Sequence, residues 1–191
     1  FETLSLMAGA ARDGNMKALI VSGPPGVGKS HGVEQIMTNE DKQVFVKGAI
    51  SPIHLYCKLY EYKEKDNVVI FDDCDSVFLD DVALNILKAA LDTKKRRRIS
   101  WHTEAHKLLS EDIPNTFEFE GSVIFISNMK FDNVKSAKLR DHLAALESRC
   151  HYIDLRIDTK REKMLRIKQI ITDGMLTEYN FSDDILEEMQ D

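Results

Sequence analysis

The sequence predicts an α/β protein, a three-layer αβα sandwich around a five-stranded, mostly parallel core sheet. Three observations carry that expectation. Five short apolar runs recur along the chain, helical patterns lie between them, and two of the runs end in polar residues of the kind a parallel sheet presents at its carboxyl edge. With 191 residues, 43% apolar and 30% charged, the chain has the makings of one globular domain plus an appended piece. It is too apolar to be disordered.

The elements follow in order. The start, FETLSLMAGAARDGN, has no signal-peptide pattern. ALIVSG (18–23) is the first strand and VFVKG (44–48) the second. Ser51 and Pro52 read as an N-cap and a first-turn proline, opening a helix with Tyr56, Leu59 and Tyr60 on one face. NVVIFDD (67–73) is the third strand. Asp80 and Asp81 cap a helix in which Leu84, Leu87 and Leu91 recur at helical spacing. SVIFISN (122–128) is the fourth strand. Ser136 caps a helix that turns Leu139, Leu143 and Leu146 to the sheet, and HYIDLRI (151–157) is the fifth strand. Thr159 and Glu162 then match a capping box, with Met164, Ile167 and Ile171 along one stripe until Gly174 stops the helix. Ser182 caps a final helix. These last helices form a small α-helical appendage.

The stretch from Asp92 to Gly121 is irregular and long for a connection, and long loops in compact domains are commonly functional. It contains β-like RRISWH, a short helical TEAHKLL, a turn at DIPN and β-like TFEFEG. At its near end Lys94, Lys95, Arg96, Arg97 and Arg98 run consecutively beside Trp101, the only tryptophan of a chain with a net charge of −6. An acidic balance argues against non-specific coating of nucleic acid, yet a local cluster still makes a field over a Debye length of about 10 Å. Two readings follow: cations on phosphates with Trp101 and His102 stacking on bases, or a solvated charged run with Trp101 anchoring a hairpin.

Other classes are excluded more simply. Cys57, Cys74 and Cys150 are far apart and form no CxxC pair, the usage of a reducing compartment without a disulfide frame or zinc cluster. No segment approaches the roughly 18 apolar residues a membrane span needs. The chain therefore reads as cytoplasmic, with no membrane partner. It lacks an initiator Met and ends in the polar EEMQD, so it reads as a fragment of something longer.

Chemistry concentrates in GPPGVGKS, which fits G-x-x-x-x-G-K-[ST] between a strand and a helix. Gly23, Pro24, Pro25, Gly26, Val27 and Gly28 let the backbone fold around an anion with its N–H groups inward, at a helix N-terminus that favours negative charge. Lys29 then reaches the β- and γ-phosphates of ATP, the Ser30 hydroxyl ligates Mg²⁺, and His31 closes the loop's sequence. In VVIFDD, Asp72 would hold Mg²⁺ and Asp73 would orient or deprotonate the attacking water. Asn128, at the end of SVIFISN, is placed to bridge that water and the γ-phosphate.

Together these segments resemble the AAA+ ATPases, the P-loop NTPase class with an additional strand between the phosphate-loop strand and the Asp-bearing strand. The resemblance covers essentially the whole chain: GPPGVGKS as Walker A, VVIFDD as Walker B, Asn128 as sensor 1, and a helical lid that begins near Thr159. It divides the chain into a nucleotide-binding domain, 1–157, with a hairpin and helix insertion at 93–121, and a partial lid, 158–191. In LAALESRC it implies that Arg149 is an arginine finger acting on a neighbouring subunit, hence a homo-oligomeric ring or spiral, a hexamer by family habit. IFDDCDSVF, ALNILKAALDT and FEFEGSVIFISN look most similar to phage and mobile-element ATPases, implying the cytoplasm of an infected host. Where the family has Glu after the Walker B Asp, this chain has the shorter Asp73, which implies slow hydrolysis. The family's sensor 2 arginine lies in a later lid helix and is assigned to no residue here.

The resemblance moves the basic run to a position near a ring's central channel. KGAISP (47–52) lacks the aromatic that protein-threading rings place in their first channel loop, which favours a DNA substrate in replication or recombination. The alternatives are a superfamily 3-like DNA helicase, an ATP-operated loader or switch, and a remodeller of a protein partner.

Overall fold

The computed structural model describes residues 2–103, 105–129, 136–155, 159–172 and 174. Five parallel strands form one sheet in the order β2-β3-β6-β1-β7: β1 (Ala18–Ser22), β2 (Gln43–Lys47), β3 (Val68–Asp72), β6 (Ser122–Ser127) and β7 (His151–Asp154). The expected α/β class and five-stranded sheet are present, and every pairing is parallel. Strands β1, β3 and β6 are buried throughout, as continuous apolar runs covered on both faces must be. Because β6 lies between β1 and β3, the carboxyl ends of the phosphate-loop strand, the Asp72 strand and the Asn128 strand emerge side by side.

Two strands form a separate antiparallel pair, β4 (Arg98–Ser100) with β5 (Thr116–Glu118), in register Arg98 to Glu118 and Ser100 to Thr116. Between them lies α5 (His106–Ser110). This insertion is seated on the core: Ile99, Leu108, Phe117 and Phe119 are buried in the same cluster as Phe71 and Phe125. The aromatic face of α3 (Pro52–Glu61) holds it there. Tyr56 meets Trp101 and Phe117 edge-on at 5.8 and 5.0 Å between ring centres, and its hydroxyl donates to Pro114 O at 2.8 Å.

The remaining helices match their signals in part. Asp80 caps α4 (Asp81–Ala90), accepting from the N–H groups of Val82 and Ala83 at 2.8 Å each, and Leu84, Leu87 and Leu91 are buried. Ser51 precedes α3 in extended conformation, but its hydroxyl bonds the His54 ring at 2.7 Å rather than a backbone N–H. In α6 (Ala137–Glu147), Leu143 and Leu146 are buried; the side chain of Leu139 lies outside the described residues. A helix not expected from the sequence, α1 (Glu2–Arg12), buries Leu4, Ala8 and Ala11 at helical spacing.

The chain divides into two compact units, Phe1–Asp154 and Leu155–Asp191. In the second, α7 (Lys160–Thr172) opens with the expected capping box: Glu162 N–H donates to Thr159 Oγ1 at 3.1 Å, and Thr159 N–H donates to Glu162 Oε2 at 2.9 Å. Gly174, at φ 71°, closes it with a bond to Ile171 O. The helix expected from Ser182 lies outside the described residues.

Candidate functional site

The loop after β1 turns at Gly26 and Gly28, both left-handed at φ 79° and 85°, before α2 (Lys29–Glu34) begins. A Cβ at Gly26 would meet nothing within 4 Å, so it is the backbone angle, not crowding, that calls for glycine there. Lys29 is 6% exposed, and its ammonium donates to Gly23 O and Pro24 O at 2.9 Å each and to Asn128 Oδ1 at 2.7 Å. Burial lowers the Lys29 pKa below the ordinary lysine value, opposed by the charges of Asp73 and Asp72.

Ser30 Oγ donates to Asp72 Oδ1 at 2.8 Å, and Asn128 Nδ2 donates to Asp73 Oδ1 at 2.8 Å. The sheet edge thus brings together Lys29, Ser30, Asp72, Asp73 and Asn128, as adjacent strand ends require. Asp72 is 5% exposed and Asp73 is exposed. Asp73 is held in the left-handed region at φ 53°, with its N–H bonded to Ile126 O at 3.0 Å. The Nε2 atom of His31 is buried without a hydrogen-bond partner.

Four further side chains, Lys47, Asp75, Ser127 and Ser22, belong to this edge and were not singled out from the sequence. Lys47, paired in register with Asp72, approaches Asp72 Oδ2 at 3.5 Å and Glu34 Oε1 at 3.0 Å. Asp75 accepts from Ser127 Oγ at 2.5 Å, Ser127 Oγ accepts from Met129 N–H at 2.9 Å, and Ser22 Oγ donates to Met129 O at 3.3 Å. These bonds brace the backbone on both sides of Asn128 and link the exits of β3, β6 and β1. The third carboxylate in DDCD was the available signal for Asp75; Lys47 depends on strand register, which sequence order alone does not reveal.

Arg149 is not bonded to this group. It follows α6, where its guanidinium donates to Ala145 O and its Nε is buried without a partner. The basic run is split rather than continuous. Lys94, Lys95, Arg96 and Arg98 are exposed, whereas Arg97 is 7% exposed and turned inward, donating to Ala90 O at 3.1 Å with its guanidinium 5.2 Å from the Phe119 ring centre. Arg97 is therefore unavailable as a surface contact. Strand alternation was the missed signal, since Arg97 shares the parity of buried Ile99. Trp101 is half-buried on the core, and its backbone N–H donates to Asn115 O at 2.8 Å.

No helix among the described residues is long and apolar enough to cross a membrane. The donor set fits a nucleoside triphosphate with magnesium: a hydroxyl and a carboxylate offer hard oxygen ligands, and a positive-φ loop with an ammonium faces them.

No family model matches the chain. It is 34% identical over 192 residues to an uncharacterized 36.7 kDa protein of enterobacteria phage T4 from the nrdC–mobD intergenic region, covering 96% of this chain and 59% of that protein. The chain thus spans less than two thirds of the length of this curated relative. Among solved structures, NtrX from Brucella abortus in complex with ADP superposes with a TM-score of 0.55 at 11% identity, over 99% of this chain and 44% of NtrX. AMPPCP-bound DnaA from Aquifex aeolicus gives 0.52 at 13% identity, over 99% of this chain and 54% of DnaA. The fold is that of the AAA+ P-loop ATPases.

Proposed function

We propose that this chain is the core of an ATP- and Mg²⁺-dependent AAA+ ATPase that works as a homo-oligomer on DNA. The observation that carries the reading is the bonded group at the sheet edge, in which Ser30 meets Asp72 while Asn128 joins Lys29 to Asp73. When bound, MgATP supplies the phosphoanhydride to be cleaved and a divalent charge on its oxygens. Lys29 exchanges its carbonyl partners for phosphate oxygens. Ser30 would hold the cation through its hydroxyl and Asp72 through the cation's water shell. Asp73, oriented by Asn128, positions and deprotonates the attacking water.

Assembly follows from giving Arg149 a role on the neighbouring subunit's nucleotide, because a site completed across a boundary acts only in an oligomer. DNA is favoured by the exposed cations Lys94, Lys95, Arg96 and Arg98. The relative from phage T4 supports a phage-type process in an infected cell.

The test separates binding from chemistry. Asp73→Asn should retain MgATP affinity, read with a fluorescent ATP analogue, and lose steady-state turnover by about 10²-fold or more. Lys29→Ala should lose both. Turnover unchanged in Asp73→Asn would remove Asp73 from the reaction, and tight binding without turnover in the parent protein would make the chain a nucleotide switch.

A further inference from the structure

We propose that Asp75 is a positioning residue: through the hydroxyl of Ser127 it fixes the backbone that carries Asn128, and so sets where the Asn128 amide stands between Lys29 and Asp73. The inference rests on the hydrolytic reading of this sheet edge and adds to it a residue that acts only through another.

Ser127 is fully buried at the end of β6, and its hydroxyl has a single proton. Its oxygen accepts from Met129 N–H at 2.9 Å, which leaves the proton for Asp75 Oδ1, 2.5 Å away. An ionised carboxylate only accepts, so the direction of the bond is fixed, and its charge strengthens the bond. Asn128 is thereby bracketed. The residue before it is held by its side chain and the residue after it by its N–H, while Met129 O also accepts from Ser22 Oγ at 3.3 Å. Ser22 pairs in register with Ser127 and directly precedes Gly23, so the brace reaches the root of the phosphate loop.

Asp75 is itself anchored. It opens the short 3₁₀ turn Asp75–Phe78, in which Val77 and Phe78 are buried, and the Phe78 ring centre lies 5.1 Å from that of Phe125 on β6. The turn therefore packs on the strand whose end it holds. The Asn128 amide has to serve two partners, accepting from Lys29 at 2.7 Å and donating to Asp73 at 2.8 Å. A strand end released from its brace would carry that amide away from both, and a displacement of about 1 Å in a positioning group is enough to cost rate. The charge of Asp75 contributes less: burial lowers the Lys29 pKa, and Asp75 opposes that only behind Asp73 and Asp72.

The full chain is assayed for phosphate release and for binding of a fluorescent ATP analogue with Mg²⁺. Asp75→Ala should lower kcat roughly tenfold, as loss of a hydrogen bond to a charged group does, with MgATP affinity unchanged. Ser127→Ala, which removes the same bond from its other end, should do likewise. Asp75→Asn keeps an oxygen acceptor for Ser127 and should stay within about threefold of the parent. In an Asn128→Ala background, Asp75→Ala should cost nothing further, because the two residues act through one group. Amide hydrogen exchange at Met129 should quicken about tenfold in Asp75→Ala while β1 and β3 exchange as before. Unchanged kcat in Asp75→Ala and Ser127→Ala would overturn the proposal, as would a full tenfold loss in the Asn128→Ala background. Equal quickening of β1 and β3 would make Asp75 a support of the whole fold and overturn it too. Should Asp75→Ala fail to fold, the other two variants decide: a loss in Asp75→Asn as large as in Ser127→Ala would show that charge matters rather than the bond, and sink the idea. A parent protein without turnover would end the hydrolytic reading instead, and exchange at Met129 would still decide the brace, which stands if Asp75→Ala quickens it and falls if it does not.

Discussion

Asp73 sits in the left-handed region at φ 53°, where aspartate is several-fold enriched among non-glycine residues and longer side chains are uncommon. The shorter acid, unexpected on family resemblance, therefore suits the backbone that carries it. The cysteines show burial acting on chemistry. Desolvation raises all three thiols, Cys74 to about 11 and Cys150 to about 12, with Cys57 also above its ordinary value. Cys74 uses its proton, donating to Val46 O at 3.1 Å. Since the thiolate is the reactive form, at pH 8 the native protein should react with dithionitrobenzoate far more slowly than free cysteine, and the denatured protein should release three equivalents at once. A fast native equivalent would show that one thiol is neither buried nor neutral.

At the scale of elements, the insertion is held by few but specific contacts. Arg97→Met keeps much of the side-chain volume but loses the bond to Ala90 O and the charge over Phe119. It should speed amide hydrogen exchange in β4 and β5 by about tenfold, equivalent to roughly 1.4 kcal/mol of local opening, while β1, β3 and β6 exchange as before. Arg98→Ala, on the exposed face, should leave both sets unchanged. Such details mark the limit of what the sequence discloses. Strands β1, β3 and β6 were legible because strands buried on both faces are continuous apolar runs, and Asp80 and the Thr159 box because caps are local. The inward turn of Arg97 was not, because a cationic run draws attention to charge rather than to the parity set by Ile99. Helix α1 was missed because two of its three buried positions, Ala8 and Ala11, are too small to give a strong apolar signal. The approach of Lys47 to Asp72 was illegible because strand register, a non-local property, creates it.

For the whole molecule, the strand order decides which groups can cooperate. With β6 between β3 and β1, Asn128 neighbours both Asp73 and Lys29, so one side chain touches the proposed base and the proposed phosphate ligand. Arg149 lies outside that group and, on the proposed assignment, acts on another chain. Arg149→Ala should accordingly lower turnover by about 10³-fold or more under assembling conditions while MgATP affinity is kept. At dilutions where the parent protein is monomeric, the two should hydrolyse equally slowly, measured by phosphate release. The three acceptors on the Lys29 ammonium have a consequence of another kind. Any anion that recruits this amine must replace Gly23 O, Pro24 O and Asn128 Oδ1, so entry is an exchange rather than a simple addition. Chloride, a single sphere, returns too few contacts for those it displaces, whereas a polyphosphate tail returns several at once. Discrimination among anions thus comes from counting oxygens, and a crowded saline solution leaves the loop to the ligand with enough of them.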